Sequence, residues 1–152
     1  MGQYGARANR GRAVSGTIPA EVTVVWAGGG EFDGGRPGGP TIHLDSSAKT
    51  GPSMVDTLLC ALASCVSVDV VDILAKRRTP VSSLSVNVKA QRVDSIPRRL
   101  ASATLNFEIG GRGIERVHAE RAIDLAVTKY CSVRESLRED IPVDWTLKLT
   151  DE

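Results

Sequence analysis

The chain has 152 residues, 41% apolar, 4% aromatic and 24% charged, with a formal net charge of +1. That length suits one domain, and the near-neutral balance offers no electrostatic footprint for nucleic acid or an anionic membrane. With so few aromatic residues, the core has to be built from Val, Leu, Ile and Ala.

The exception to the even charge is local. Arg7, Arg10 and Arg12 precede the first acidic residue, Glu21, in a Gly-rich stretch with little to bury. Residues 1–20 read as a flexible tail ahead of a single domain over 21–152; a transit peptide is the alternative, and the apolar centre of a secretory signal is lacking. Val22, Val24 and Trp26 then alternate with Thr23 and Val25, Gly28-Gly29-Gly30 suits a tight turn, and Glu31-Phe32 starts the return strand. Thr41–Leu44 is predicted as a third strand.

The character changes at Ser53, a good N-cap with Asp56 three residues on, a capping-box spacing. From there to Ala75 no Lys or Arg occurs, and small or apolar residues occupy every face. A helix apolar all round is a buried helix. The uncharged run Thr57–Val68 falls short of the ~20 residues of a membrane span, and Asp69 and Asp72 follow it. Lys76-Arg77-Arg78 suits a helix C-terminus, and Pro80 ends the segment.

Two period-two strands come next: Leu84, Val86, Val88 and Ala90 on one face, then Ala103, Leu105, Phe107 and Ile109, joined by a hairpin loop over 94–100. A helix from about Ile114 to Tyr130 carries an apolar stripe, Cys131-Ser132 interrupts it, and Ser132 is placed to cap a short helix through Leu137. Val143, Trp145, Leu147 and Leu149 form the last strand. The order βββ-α-ββ-α-α-β with one-sided strands predicts an α+β fold with antiparallel sheet covered on one face. One such sheet covers one side of the central helix, so burial alone asks for a second copy of the chain.

The cysteines are Cys60, Cys65 and Cys131. An odd number without an export signal points to a reducing compartment, the cytoplasm, over a disulfide framework. Without a C-x-x-C pair, and with His43 and His118 far apart, no metal site is expected.

Gly51-Pro52-Ser53, Asp56-Thr57-Leu58-Leu59-Cys60-Ala61-Leu62-Ala63-Ser64-Cys65 and Asp69-Val70-Val71-x-Ile73-Leu74-x-Lys76 together resemble the central helix of the OsmC/Ohr family, the osmotically inducible and organic hydroperoxide resistance proteins. Lys129-Tyr130-Cys131-Ser132-Val133 resembles the segment carrying that family's second cysteine. The resemblance implies an intertwined homodimer, its sheets wrapped around two long central helices, with active sites at the subunit interface. It implies cysteine-based reduction of organic hydroperoxides without a cofactor, Cys65 peroxidatic and Cys131 resolving, with a dithiol, small molecule or protein, as reductant. The chain also departs from the pattern. Met54 stands where the family has Pro, Asp56 where it has Glu, and Val55 at the position of the hydroperoxidases' key Glu. Their arginine comes from the N-terminal strands, where residues 22–32 hold none; Arg36 is the nearest candidate.

Read from the residues themselves, a thiol peroxidase needs a thiolate to attack the peroxide, a group to stabilise the departing alkoxide, and a second thiol to condense with the sulfenic acid. Cys65 sits mid-helix with Asp69 at i+4, so a cation has to reach it from elsewhere. Asp56 is ~13 Å from it and on the other side of a straight helix. Cys60 projects ~140° from Cys65 and is expected to pack in the core, as free cysteines commonly do. His43 and His118 are expected at the surface or an edge. Leu62, Val66 and Tyr130 are the expected walls of an apolar pocket. The competing reading is a non-catalytic dimer holding an apolar small molecule at its interface.

Overall fold

A computed structural model describes residues 16–150. The tail expected over 1–20 therefore lies largely outside the described residues; Gly16–Ala20 run exposed and without regular structure.

β1 (Thr23–Gly28), β2 (Glu31–Gly35) and β3 (Thr41–Asp45) form an antiparallel sheet in that order. Gly28 and Gly29 adopt φ of +116° and +51° at the β1–β2 turn, values that a side chain would disfavour. Little of this sheet is buried. Trp26 is 67% exposed, and Val24, Val25 and Ile42 are exposed as well.

The loop from β3 into the central helix is knotted on one carboxylate. Asp45 is 3% exposed and accepts from the backbone N–H groups of Ser47, Lys49 and Thr50 at 2.8–3.0 Å and from both hydroxyls. Those bonds hold its carboxyl far below the usual carboxylate range. His43 reinforces the knot: Nδ1 lies 2.8 Å from Asp33 Oδ1 and Nε2 lies 3.1 Å from Thr50 Oγ1. A carboxylate–imidazole–hydroxyl line of this kind invites comparison with a nucleophilic triad. Here, however, Thr50 Oγ1 also lies 3.1 Å from Asp45 and 3.3 Å from Glu31, so its proton goes to a carboxylate and any alkoxide would meet two negative charges. The network is a structural cap.

α1 (Met54–Lys76) starts with the expected capping box, Asp56 N–H donating to Ser53 Oγ at 3.2 Å and Ser53 N–H to Asp56 Oδ2 at 3.0 Å. Leu62, Val66, Val70 and Leu74, spaced by four, form one face and are wholly buried. Burial of such side chains contributes about 1.5–3 kcal/mol each. They meet Ala103, Leu105, Phe107 and Ile109 from the second sheet, together with Ala122, Ile123 and Ala126. The opposite face is open: Val68 is 60% exposed, and Val71 and Cys60 are exposed too. Length and composition alone would let α1 cross a membrane, a test that the core helix of a soluble protein also passes. Its buried face is already committed to this chain's own sheet.

β4 (Ser83–Arg92) and β5 (Leu100–Gly110) pair antiparallel, in register from Ser83↔Gly110 to Gln91↔Ser102. β6 (Val143–Thr150) pairs with β5 in parallel, so this sheet is mixed where an antiparallel one was predicted. The cause is the connection. The chain leaves β5, crosses the face of the sheet through α2 (Arg116–Leu125) and α3 (Ser132–Ser136), and re-enters in the same direction. One-sided burial fits either pairing, so the period-two pattern carried no information on strand direction.

The Asp33–His43 bond has a defined pH signature. The hydrogen bond to Asp33 raises the His43 pKa above 6.5, the imidazolium being favoured in the folded state. Its stabilising contribution is therefore fully present below the unfolded value and is lost as pH rises through the folded one. Thermal unfolding of wild type and His43→Gln should differ most near about pH 5.5 and converge by about pH 9. A gap that widens with rising pH would contradict this.

Candidate functional site

The expected thiols are brought together. Cys65, partly buried on α1, packs against the core cluster that contains Cys131, itself 3% exposed, and lies close enough to influence the Cys131 thiol. Both are free thiols. Burial pushes the Cys131 thiol up to about 11 from 9.0, and the neighbouring Cys65 adds to the rise, while the N–H groups of Arg134 and Val133 oppose it. Cys131 is thus held in its protonated form beside Cys65.

How a residue 66 positions after Cys65 arrives there follows from the second helix. The continuous helix predicted to Tyr130 is α-helical only to Leu125 and finishes as a π turn, Ala126–Tyr130. Cys131 N–H donates to Ala126 O, five residues back, at 3.0 Å. The wider turn inserts one residue, which displaces the next side chain by roughly 100° relative to a continued α-helix. The π turn and α3 both pack on α1. Cys131, not the expected Ser132, is the N-cap of α3, its Sγ accepting from Arg134 N–H at 3.3 Å. The Arg134 guanidinium in turn donates to Ile141 O at 3.0 Å, tying α3 to the chain entering β6.

The other expected site residues lie apart. Asp56 uses its carboxylate on Ser53, whose hydrogen bonds hold its pKa below the ordinary value. Arg36 is exposed in the β2–β3 turn, beside Glu21 and Pro37. Among the described residues, no arginine side chain hydrogen-bonds either sulfur. Leu62 and Val66, expected as pocket walls, are wholly buried in the core, because the i, i+4 face they share is the one turned to the sheet; Tyr130 is 48% exposed. Cys60, expected in the core, is exposed, because the helix face it occupies is not covered by this chain. His43 and His118 are both partly exposed. Among the described residues, no three His, Cys, Asp or Glu side chains are grouped to hold a metal ion.

A pair of adjacent thiols, one on a central helix and one at a helix break, in a two-sheet α+β fold defines a class that the comparisons identify. Residues 45–146 match the model of the OsmC-like protein family, and the chain belongs to that family. It is 32% identical over 124 residues to protein YhfA of Escherichia coli K12, covering 81% of this chain and 92% of that one. A hypothetical protein from Aquifex aeolicus has a similar crystal structure, with a TM-score of 0.79, 23% identity and coverage of 90% of this chain and 99% of the other. The organic hydroperoxide resistance protein OhrB of Bacillus subtilis shares the fold at a TM-score of 0.59, with 15% identity and coverage of 86% and 98%.

The π turn makes a prediction. Deleting the exposed Thr128 should restore an α-helical register and swing Cys131 away from α1. Circular dichroism should show a folded protein, while peptide mapping after mild oxidation should recover a Cys65–Cys131 disulfide from wild type and not from the deletion variant. Unchanged disulfide formation in the deletion variant would remove the positioning role.

Proposed function

We propose that the protein is a two-cysteine peroxidase that reduces organic hydroperoxides, working as a homodimer in the reducing cytoplasm. The observation that carries this reading is that Cys65 and Cys131 meet at one edge of the core, close enough for one thiol to influence the other. The Cys65 thiolate attacks the distal peroxide oxygen and the O–O bond breaks. The alkoxide departs, taking a proton from solvent, and Cys65 is left as a sulfenic acid. Cys131 then attacks that sulfur. Its own proton leaves with the displaced hydroxide as water, and a Cys65–Cys131 disulfide forms, for which the Cα atoms come within about 4.4–6.8 Å. Two electrons from a dithiol, small molecule or protein, restore both thiols.

The second copy has two roles. It covers the apolar face of α1 that holds Val68 and Val71, and the exposed side chains of β1–β3 supply matching surface. It also delivers the missing cation: Arg36, carried on the turn of that sheet, would stabilise the departing alkoxide of the other subunit. The apolar open face of α1, where Val68 lies one turn from Cys65, favours hydroperoxides with a carbon chain over hydrogen peroxide.

One arrangement favours a second reading, a non-catalytic dimer holding an apolar molecule at its interface. Asp56 is spent on a helix cap, and no guanidinium of the described residues touches the thiols.

Kinetics separates the two. With a dithiol reductant, wild type should consume cumene hydroperoxide faster than hydrogen peroxide, Cys65→Ser should be inactive, and Cys60→Ser near wild type. Cys131→Ser should turn over once and retain a trappable sulfenic acid. Arg36→Gln should lose roughly a hundredfold in rate. Wild type no faster than Cys65→Ser would sink the enzyme reading and leave the binding dimer. The oligomer is tested by sedimentation, where a folded monomer at about micromolar concentration would overturn the dimer.

A further inference from the structure

A groove of about 240 Å³ lies between the C-terminal end of α1 and α2, away from the thiols, with Ile73, Ala122 and Leu125 as its apolar floor. Lys76 and Arg77 from α1 and His118 and Arg121 from α2 complete its lining. We infer that this groove binds a small amphiphilic anion, a carboxylate on a short apolar tail.

Three observations carry the inference. First, the cations converge without direct carboxylate partners: none of the ion pairs among the described residues includes Lys76, Arg77 or Arg121. Bringing like charges together costs energy that an anion would offset, and the α1 C-terminus accounts only for the cations on α1. Arg121 belongs to α2 and owes nothing to that dipole. Second, Arg77 is held across the groove rather than left to solvent. Its Nη2 donates to His118 Nε2 at 2.7 Å, a bond between the two helices that spends a guanidinium on a neutral imidazole. Glu115, the carboxylate 3.8 Å from His118 Nε2, is 72% exposed and outside the groove lining. Third, the floor is apolar throughout, which an inorganic anion held at the rim would leave uncovered but a hydrocarbon tail would fill. A concave basic rim above an apolar floor focuses field at the head group and removes the tail from water.

The probe is octanoate, added to the full-length protein and followed by amide chemical shifts and titration calorimetry. One octanoate should bind per chain and shift the amides of residues 73–77 and 118–125. Lys76→Gln and Arg121→Gln, both at exposed side chains and so expected to melt like wild type, should each weaken binding about tenfold. Octanamide, of the same shape without charge, should bind at least as poorly as octanoate binds these variants. The inference is overturned if octanoate leaves those amides unmoved, if octanamide binds equally well, or if inorganic phosphate competes on equal terms. It is also overturned if Cys65→Ser or Arg36→Gln removes octanoate binding, since the ligand would then sit at the thiol site.

Discussion

A helix of 23 residues that is apolar on most of its circumference has to be covered on most of its circumference, and nearly every other element can be read as part of that covering. Leu62, Val66, Val70 and Leu74 line up at intervals of four, so the sheet β4–β5–β6 and α2 need only approach from one side to bury them completely. That leaves Val68, Val71 and Cys60 facing outward. The same chain provides a second three-stranded sheet whose apolar residues find little to bury against at home. The mismatch on the helix and the mismatch on the sheet are complementary, which is why the proposed second copy solves both.

The thiol pair is a product of the same packing. Cys65 needs only its place on α1, between the buried face and the open one. Cys131 needs more: a helix that crosses the sheet, a last turn widened to bring the sulfur round, and a short following helix that uses that sulfur as its cap. The enclosure that these elements create is also what keeps the Cys131 proton in place, since a buried thiolate without a cation beside it is poorly solvated. Burial, position and protonation state therefore have one origin.

Much of this was legible in the residues because it is periodic or local. The α1 boundaries followed from Ser53, Asp56 and the cations at 76–78, and the strands from the alternation at 84–90 and 103–109. Each signal acts within a turn or two of chain. The expectation that Cys65 works with Cys131 comes from the resemblance of two segments, not from geometry. What escaped depended on contacts between distant parts. Strand direction in β5–β6 is decided by the path between the strands, on which alternation is silent. The π turn at 126–130 leaves no mark in the apolar stripe, because Ala126 and Val127 are buried in it much as they would be in an α-helix. The Asp45 knot is not periodic, and its one local cue is Asp followed by Ser, Ser and Thr within five residues, since side-chain oxygens of that kind commonly collect nearby N–H groups. Cys60 was misjudged because helix angle was known while the cover on that side was not.

The open face of α1 also has a bearing on what the word stability means for this molecule. In the proposed dimer, where part of the core is completed only by another copy, folding and association are one equilibrium, and the free energy of the folded state includes a mass-action term. Dilution then acts as a denaturant. A melting temperature belongs to a protein concentration as much as to a sequence, and a substitution on the outer face of α1 would be felt most where the protein is scarce.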